Sequence, residues 1–113
     1  RQKSRRKSWL STVVKNDCYV IVDEGASKAL LDSHTSLLPV GIKKVQGKFK
    51  RGDVIQIRHR NKILAVGLTE YDYKELDLIK GKKSTEINGL LEYVHSKVAI
   101  HKDNLLLKKD ELW

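Results

Sequence analysis

A single cysteine rules out any internal disulfide in this 113-residue chain, so its stability has to come from packing. One domain of this length buries about two-thirds of its extended-chain surface, which suffices without covalent staples. Cys18 opens the β-branched run Cys18-Tyr-Val-Ile-Val22 and reads as a buried thiol in a reducing compartment. No apolar run approaches the length of a membrane span and none follows the basic start, so the chain is expected in the cytoplasm, with no membrane partner. Methionine is absent and the chain starts on Arg1-Gln-Lys3, the pattern expected of a piece of a longer protein. Four histidines, His34, His59, His95 and His101, are scattered and remote from the cysteine, which is not the paired spacing of a metal site. The aromatics are two Trp, four Tyr and one Phe, and none falls among the basic residues 50–62, so base readout by stacking is not advertised there. Gly81-Lys82-Lys83-Ser84 echoes the end of a phosphate-binding loop. That loop needs a glycine where Leu76 stands, so a helix cap is the simpler reading. No catalytic constellation emerges.

Positive charge is abundant and uneven. Of a formal net +9, residues 1–15 contribute six Lys or Arg and no acid, while residues 43–67 carry eight against Asp53 alone. Those eight are Lys43, Lys44, Lys48, Lys50, Arg51, Arg58, Arg60 and Lys62, close enough along a few hairpins to form one electropositive surface suited to phosphate. The same residues also suit a second role, keeping exposed strand edges soluble and unpaired.

Residues 1–15 read as a basic linker with Trp9 and Leu10 as its anchors, and the domain proper as residues 16–113. Tyr19–Val22 reads as a first strand, with Asp23 capping a helix from Glu24 whose apolar stripe is Ala26, Ala29, Leu30 and Leu31. His34-Thr-Ser36 is a polar loop; Pro39 then keeps Leu38 extended and leads into a strand over Val40–Gln46. Gly41, Gly47 and Gly52 punctuate short apolar runs, and Gly52-Asp53 closes a tight turn. Val54–Arg58 and Ile63–Leu68 form a hairpin around His59–Lys62, with Ile55 and Ile57 on one face. Asp72 and Glu75 have capping-box spacing, with Leu76 and Ile79 pointing inward; Ser84 can cap a helix to about Leu91. Val98–Ile100 and Leu105–Leu107 read as closing strands. Many short strands with single helices between them predict an α+β fold, mainly β: a small mixed barrel with two or three short helices.

The stretch Ser36-Leu-Leu-Pro-Val-Gly-Ile42 with Val45-Gln-Gly-Lys-Phe-Lys-Arg-Gly-Asp-Val-Ile55 resembles the PUA domain, a small pseudo-barrel attached to RNA-modifying and some metabolic enzymes. Val22–Leu31 is similar to that family's opening strand and first helix. Ile63–Tyr71, Ile79-Lys-Gly-Lys-Lys-Ser-Thr-Glu-Ile87, Ile100-His-Lys-Asp-Asn-Leu-Leu-Leu107 and the linker-like Arg6-Lys-Ser-Trp-Leu10 resemble the version carried at the carboxy end of bacterial glutamate 5-kinases. Departures are small: Lys102 stands where Arg is usual, and Asp72-Tyr73 where a Ser pair is common. The resemblance implies an accessory, non-catalytic domain whose partner is its own amino-terminal kinase domain. That domain, outside this chain, would hold ATP and Mg²⁺ and phosphorylate the glutamate side-chain carboxylate toward proline, under proline feedback, with homo-oligomers formed through the parent enzyme. It also implies RNA as a partner, since PUA domains of RNA-modifying enzymes hold a stem and an adjacent single strand along the first helix and the glycine loop. The matching positions are Gly25, Ala26, Lys28, Leu38, Gly41 and Lys43. The alternative parent is therefore an RNA-modifying enzyme. His101 falls in the resembling Ile-His-Lys-Asp-Asn segment, where hydrogen bonding to backbone or Asp103 is its simplest role.

Overall fold

The computed structural model describes residues 9–10, 12–87 and 97–108. β1 (Tyr19–Val22) ends at Asp23, whose carboxylate accepts the Ala26 N–H at 2.8 Å and so starts α1 (Glu24–Ser33). α1 stops at His34, which adopts the left-handed conformation that ends many helices. Leu38 is extended before Pro39, as expected. The strand does not begin at Val40, however: Pro39–Gly41 is a 3-10 turn and β2 is Ile42–Gln46. Proline's fixed φ suits the first position of such a turn, and the Gly41 N–H closes it on the Leu38 carbonyl at 3.1 Å.

β3 (Val54–His59) and β4 (Lys62–Thr69) make the expected hairpin. Arg60 and Asn61, with φ of 52° and 65°, form its two-residue turn; positive φ at both central positions is the type I′ geometry that matches strand twist. Ahead of β3, Asp53 Oδ2 accepts the Lys50 N–H at 2.9 Å and lies 3.1 Å from Lys15 Nζ. The Lys50 hydrogen bond, aided by Lys15, holds the Asp53 carboxyl below its ordinary 3.8 against the opposing effect of burial.

α2 (Tyr73–Ile79) carries the full capping box: the Glu75 N–H donates to Asp72 Oδ1 at 2.8 Å, and the Asp72 N–H to Glu75 Oε1 at 3.0 Å. Asp72 thus supplies the cap oxygen that a serine would. Leu76 and Ile79 are buried. α3 (Ser84–Ile87) begins on Ser84, so the cap position belongs to Lys83, whose carbonyl accepts from the Glu86 and Ile87 N–H groups. The expected continuation to Leu91 lies outside the described residues. In place of two closing strands there is one, β5 (Ile100–Leu107). It pairs with β4 at Thr69↔Ile100 and again at Gly67↔Leu105, and the polar residues between are absorbed by a register shift.

The sheet order is β2-β1-β3-β4-β5, with β1 and β3 parallel and the other neighbours antiparallel. Leu37, ahead of β2, bridges to Ile100 of β5, which draws the two edges of the sheet toward each other and gives the barrel-like closure. Core residues split by strand alternation. Val20, Ile55, Ile57 and Ala65 face the main core with Leu30, Phe49 and Leu76, while Val54, Val66 and Leu106 face the other way and are covered by Leu10. Central β3 therefore has both faces buried over Val54–Ile57. Among the described residues, no helix is long and apolar enough to cross a membrane.

Candidate nucleic-acid interface

α1 and the 3-10 turn meet at Ala26 and Gly41. A β-carbon on Gly41 would stand 2.6 Å from that of Ala26, so only glycine lets the turn close on the helix. Beside this contact opens a pocket of 460 Å³ lined by Ala26, Ala29, Leu30, Leu37, Leu38 and Gly41, with Asp23, Thr35, Ser36 and Val40 completing it. Leu38 and Val40 are 47% and 42% exposed and form its rim, an uncommon place for large aliphatic side chains in pairs. On the other side of the same two residues lies a second pocket of 380 Å³, whose wall is Pro39 with Lys82, Lys83 and Lys97. The Gly81 N–H donates to the Pro39 carbonyl at 2.8 Å and ties the lysine-bearing loop to the turn. Together the pockets form a groove with an apolar floor and three lysines in the lining of one half, suited to a ligand with a flat apolar part and an anionic part.

Of the six positions that the family resemblance implies, the fold brings Ala26, Leu38 and Gly41 together at this pocket. Gly25 and Lys28 are exposed on α1 outside its lining, and Lys43 is exposed on β2 just past Gly41. The sequence reading missed Val40, Lys82, Lys83 and Lys97. Nothing local marks them, because they meet only when the α2–α3 loop and the segment ahead of β5 come against the turn.

The eight clustered cations distribute over three places. Lys43 and Lys44 are exposed on edge strand β2. Lys48, Lys50 and Arg51 stand in the β2–β3 loop, where Arg51 grips Glu75 through Nε at 3.2 Å and Nη2 at 2.7 Å. Arg58, Arg60 and Lys62 belong to the hairpin; Arg60 meets Glu24 at 3.3 Å in an exposed pair worth little energetically. Arg58 lies over the ring of Tyr19, 3.9 Å from its centroid, so the fold does place an aromatic against the basic run. Tyr19 is far from that run in sequence and gave no sign of it.

Elsewhere, Cys18 is buried with its Sγ 3.5 Å from the Lys48 carbonyl, and burial pushes the thiol above its ordinary value. His101 Nδ1 accepts the Asp103 N–H at 3.1 Å, the backbone role expected for it. Among the described residues, no three His, Cys, Asp or Glu side chains converge as a metal site would require.

Known proteins of similar sequence or similar shape agree on one family. The sequence pattern of the PUA domain matches residues 18–91. The glutamate 5-kinase of Dictyoglomus turgidum is 45% identical over 105 residues, which is 92% of this chain and 28% of that protein. The chain thus spans little more than a quarter of that relative's length. In shape, it is similar to a PUA domain protein from Thermoplasma acidophilum, with a TM-score of 0.52 and 24% identity over 76% of this chain and 47% of that one. It is also similar to a chain of an H/ACA RNP bound to a substrate RNA containing 2'-deoxyuridine, with a TM-score of 0.55 and 20% identity over 85% of this chain and 26% of that one. A closing turn at Gly41, a capped first helix and a mixed five-stranded sheet accompany a family match over most of the chain: it belongs to the PUA domain family, and nine-tenths of it is similar to the carboxy-terminal portion of bacterial glutamate 5-kinases.

Proposed function

We propose that this chain is the accessory domain of a cytoplasmic glutamate 5-kinase and that its groove at Leu38 and Val40 binds RNA. Identity of 45% over 92% of the chain supports that parent over an RNA-modifying enzyme, since the solved structures of similar shape cited above are less than 25% identical. In this reading the domain does no chemistry. ATP and Mg²⁺ belong to the kinase domain, which transfers the γ-phosphoryl group to the glutamate side-chain carboxylate, the entry to proline synthesis, and this domain acts on its assembly or regulation. Its partners are that kinase domain, further copies of the parent enzyme, and RNA.

The observation that carries the RNA reading is the convergence of Ala26, Leu38 and Gly41 on one apolar pocket with Lys82, Lys83 and Lys97 along the adjoining one. Phosphate neutralisation by these lysines and by Lys43 makes binding steeply salt-dependent and only weakly selective for sequence. The test is a titration of a structured RNA and of an unrelated RNA at several salt concentrations, using the 113-residue chain and Leu38→Asp. Leu38 is 47% exposed, so the variant should fold normally. Both RNAs should bind with parallel, steep log–log salt plots, and Leu38→Asp should weaken both. Salt-insensitive binding, strong preference for one RNA, or no binding at low salt would each refute the RNA reading.

A further inference from the structure

Among the described residues, Leu10 and Val14 cover the outer face of the sheet over β3, β4 and β5. The rest of that face, on β2, β1 and β3, presents two rows: Gln46, Tyr19 and Gln56 in one, Lys44, Ile21 and Arg58 in the other. Its strand residues bear two positive charges and no carboxylate. The acids that flank these strands are engaged elsewhere: Asp23, directly after β1, accepts the Ala26 N–H, Asp53, directly before β3, holds the Lys50 N–H and Lys15, and Asp17 Oδ1 lies 3.8 Å from Cys18 Sγ.

Arg58 is held in place more firmly than a surface arginine needs to be. Its guanidinium lies on the Tyr19 ring, while Nε and Nη2 both donate to Gln56 Oε1, at 2.8 and 2.5 Å. Gln56 is itself 4% exposed, and its Nε2 donates to Asn16 Oδ1 at 3.1 Å, which turns its oxygen toward the arginine. A buried amide in a central strand is costly unless both ends are bonded, and here one end is spent on fixing a cation. Of the five N–H donors of a guanidinium, Gln56 takes two, which leaves three without an acceptor among the described residues. Arg58 remains only half-buried. A flat cation backed by an aromatic ring, with outward donors and a lysine in its own row, is the arrangement on which unpaired bases stack.

From this we infer a second contact surface, separate from the groove: an unpaired nucleotide stacks its base on the Arg58 guanidinium, and its phosphate meets the remaining Arg58 donors and Lys44. The inference rests on the RNA reading above, and extends it from one face of the domain to two. Charge alone would hold a phosphate. The stack on Tyr19 is what adds a requirement for a base.

The test compares a fluorescein-labelled single-stranded RNA with an abasic oligonucleotide of equal length, by anisotropy, for the 113-residue chain, Arg58→Lys, Tyr19→Leu and Lys44→Gln. The parent chain should favour the RNA over the abasic strand by about fivefold or more, the lower end of stacking on one side chain. Arg58→Lys keeps the charge and a donor for Gln56; it and Tyr19→Leu should abolish that preference while leaving the salt slope unchanged. Lys44→Gln should keep the preference and lower the slope by about 0.7, one phosphate's worth for a single strand. Thermal melts confirm folding of each variant, and where Tyr19→Leu is unstable the Arg58→Lys result decides. An unchanged preference in Arg58→Lys, equal affinity of the parent for both strands, or equal competition by poly-glutamate, which would mark an acidic protein as the ligand, each overturns the inference. Loss of binding in Leu38→Asp with no effect of Arg58→Lys leaves the groove reading standing and removes this one, whereas no RNA binding by the parent chain removes both.

Discussion

Replacing Gly47 and Gly52 separately by alanine divides backbone strain from steric exclusion, because the two share a backbone conformation and differ in surroundings. Their φ values are 91° and 89°. An L side chain there costs about 1–2 kcal/mol, and this cost is common to both variants. At Gly52 a β-carbon finds nothing within 4 Å, so the strain is the whole effect. At Gly47 it would lie 2.6 Å from the Asp17 carbonyl oxygen and 2.9 Å from the Cys18 α-carbon, where β2 turns away from the start of β1. Both are backbone atoms and cannot rotate aside. Forcing them apart adds the cost of overpacking, about 1–3 kcal/mol, so Gly47→Ala should lose about 2–5 kcal/mol in all. Urea unfolding should show lower midpoints at unchanged m-values, and each kcal/mol should lower Tm by roughly 4–8 °C. Equal losses for the two variants, or a Gly47→Ala chain as stable as the parent, would refute this account of the loop.

Two further predictions concern packing and charge. Leu10 is 1% exposed against Val54, Val66 and Leu106, so Leu10→Ala should destabilise by about 2–5 kcal/mol in chemical unfolding; a loss within 0.5 kcal/mol, the size of a surface change, would show that the segment before β1 does not cover the sheet. Asp53 has a folded pKa below its ordinary 3.8, so its carboxylate contributes stability that is present above that value and lost as pH falls through the folded one. Asp53→Asn should therefore be less stable than the parent at neutral pH, and the gap should close below about pH 4; a gap that persists undiminished at pH 2 would contradict the assignment.

Local chemistry was legible in the sequence wherever a residue acts on its near neighbours. Asp23 and Asp72 capped the helices they were expected to cap, the His59–Lys62 turn formed between the expected strands, and Ile55 and Ile57 took one face together. Each rests on contacts a few residues apart, which spacing alone encodes. Errors arose where a distant segment decides the outcome. Pro39 and the extended Leu38 before it suggest a strand from Val40, but the approach of Gly41 to Ala26 makes that stretch a turn against α1. The polar residues His101–Asn104 looked like a break between two strands, and pairing with β4 on either side makes them the middle of one.

For the candidate sites the division is sharper. Composition determined that the chain is strongly basic and poor in aromatics, and its motifs determined the family. Neither could show that Arg60 and Arg51 face carboxylates, that Lys82, Lys83 and Lys97 border the Leu38 groove, or that Tyr19 lies beneath Arg58. These are juxtapositions across strands and loops far apart in the chain. Such meetings follow from register and closure of the sheet, which long-range packing sets and no local pattern specifies.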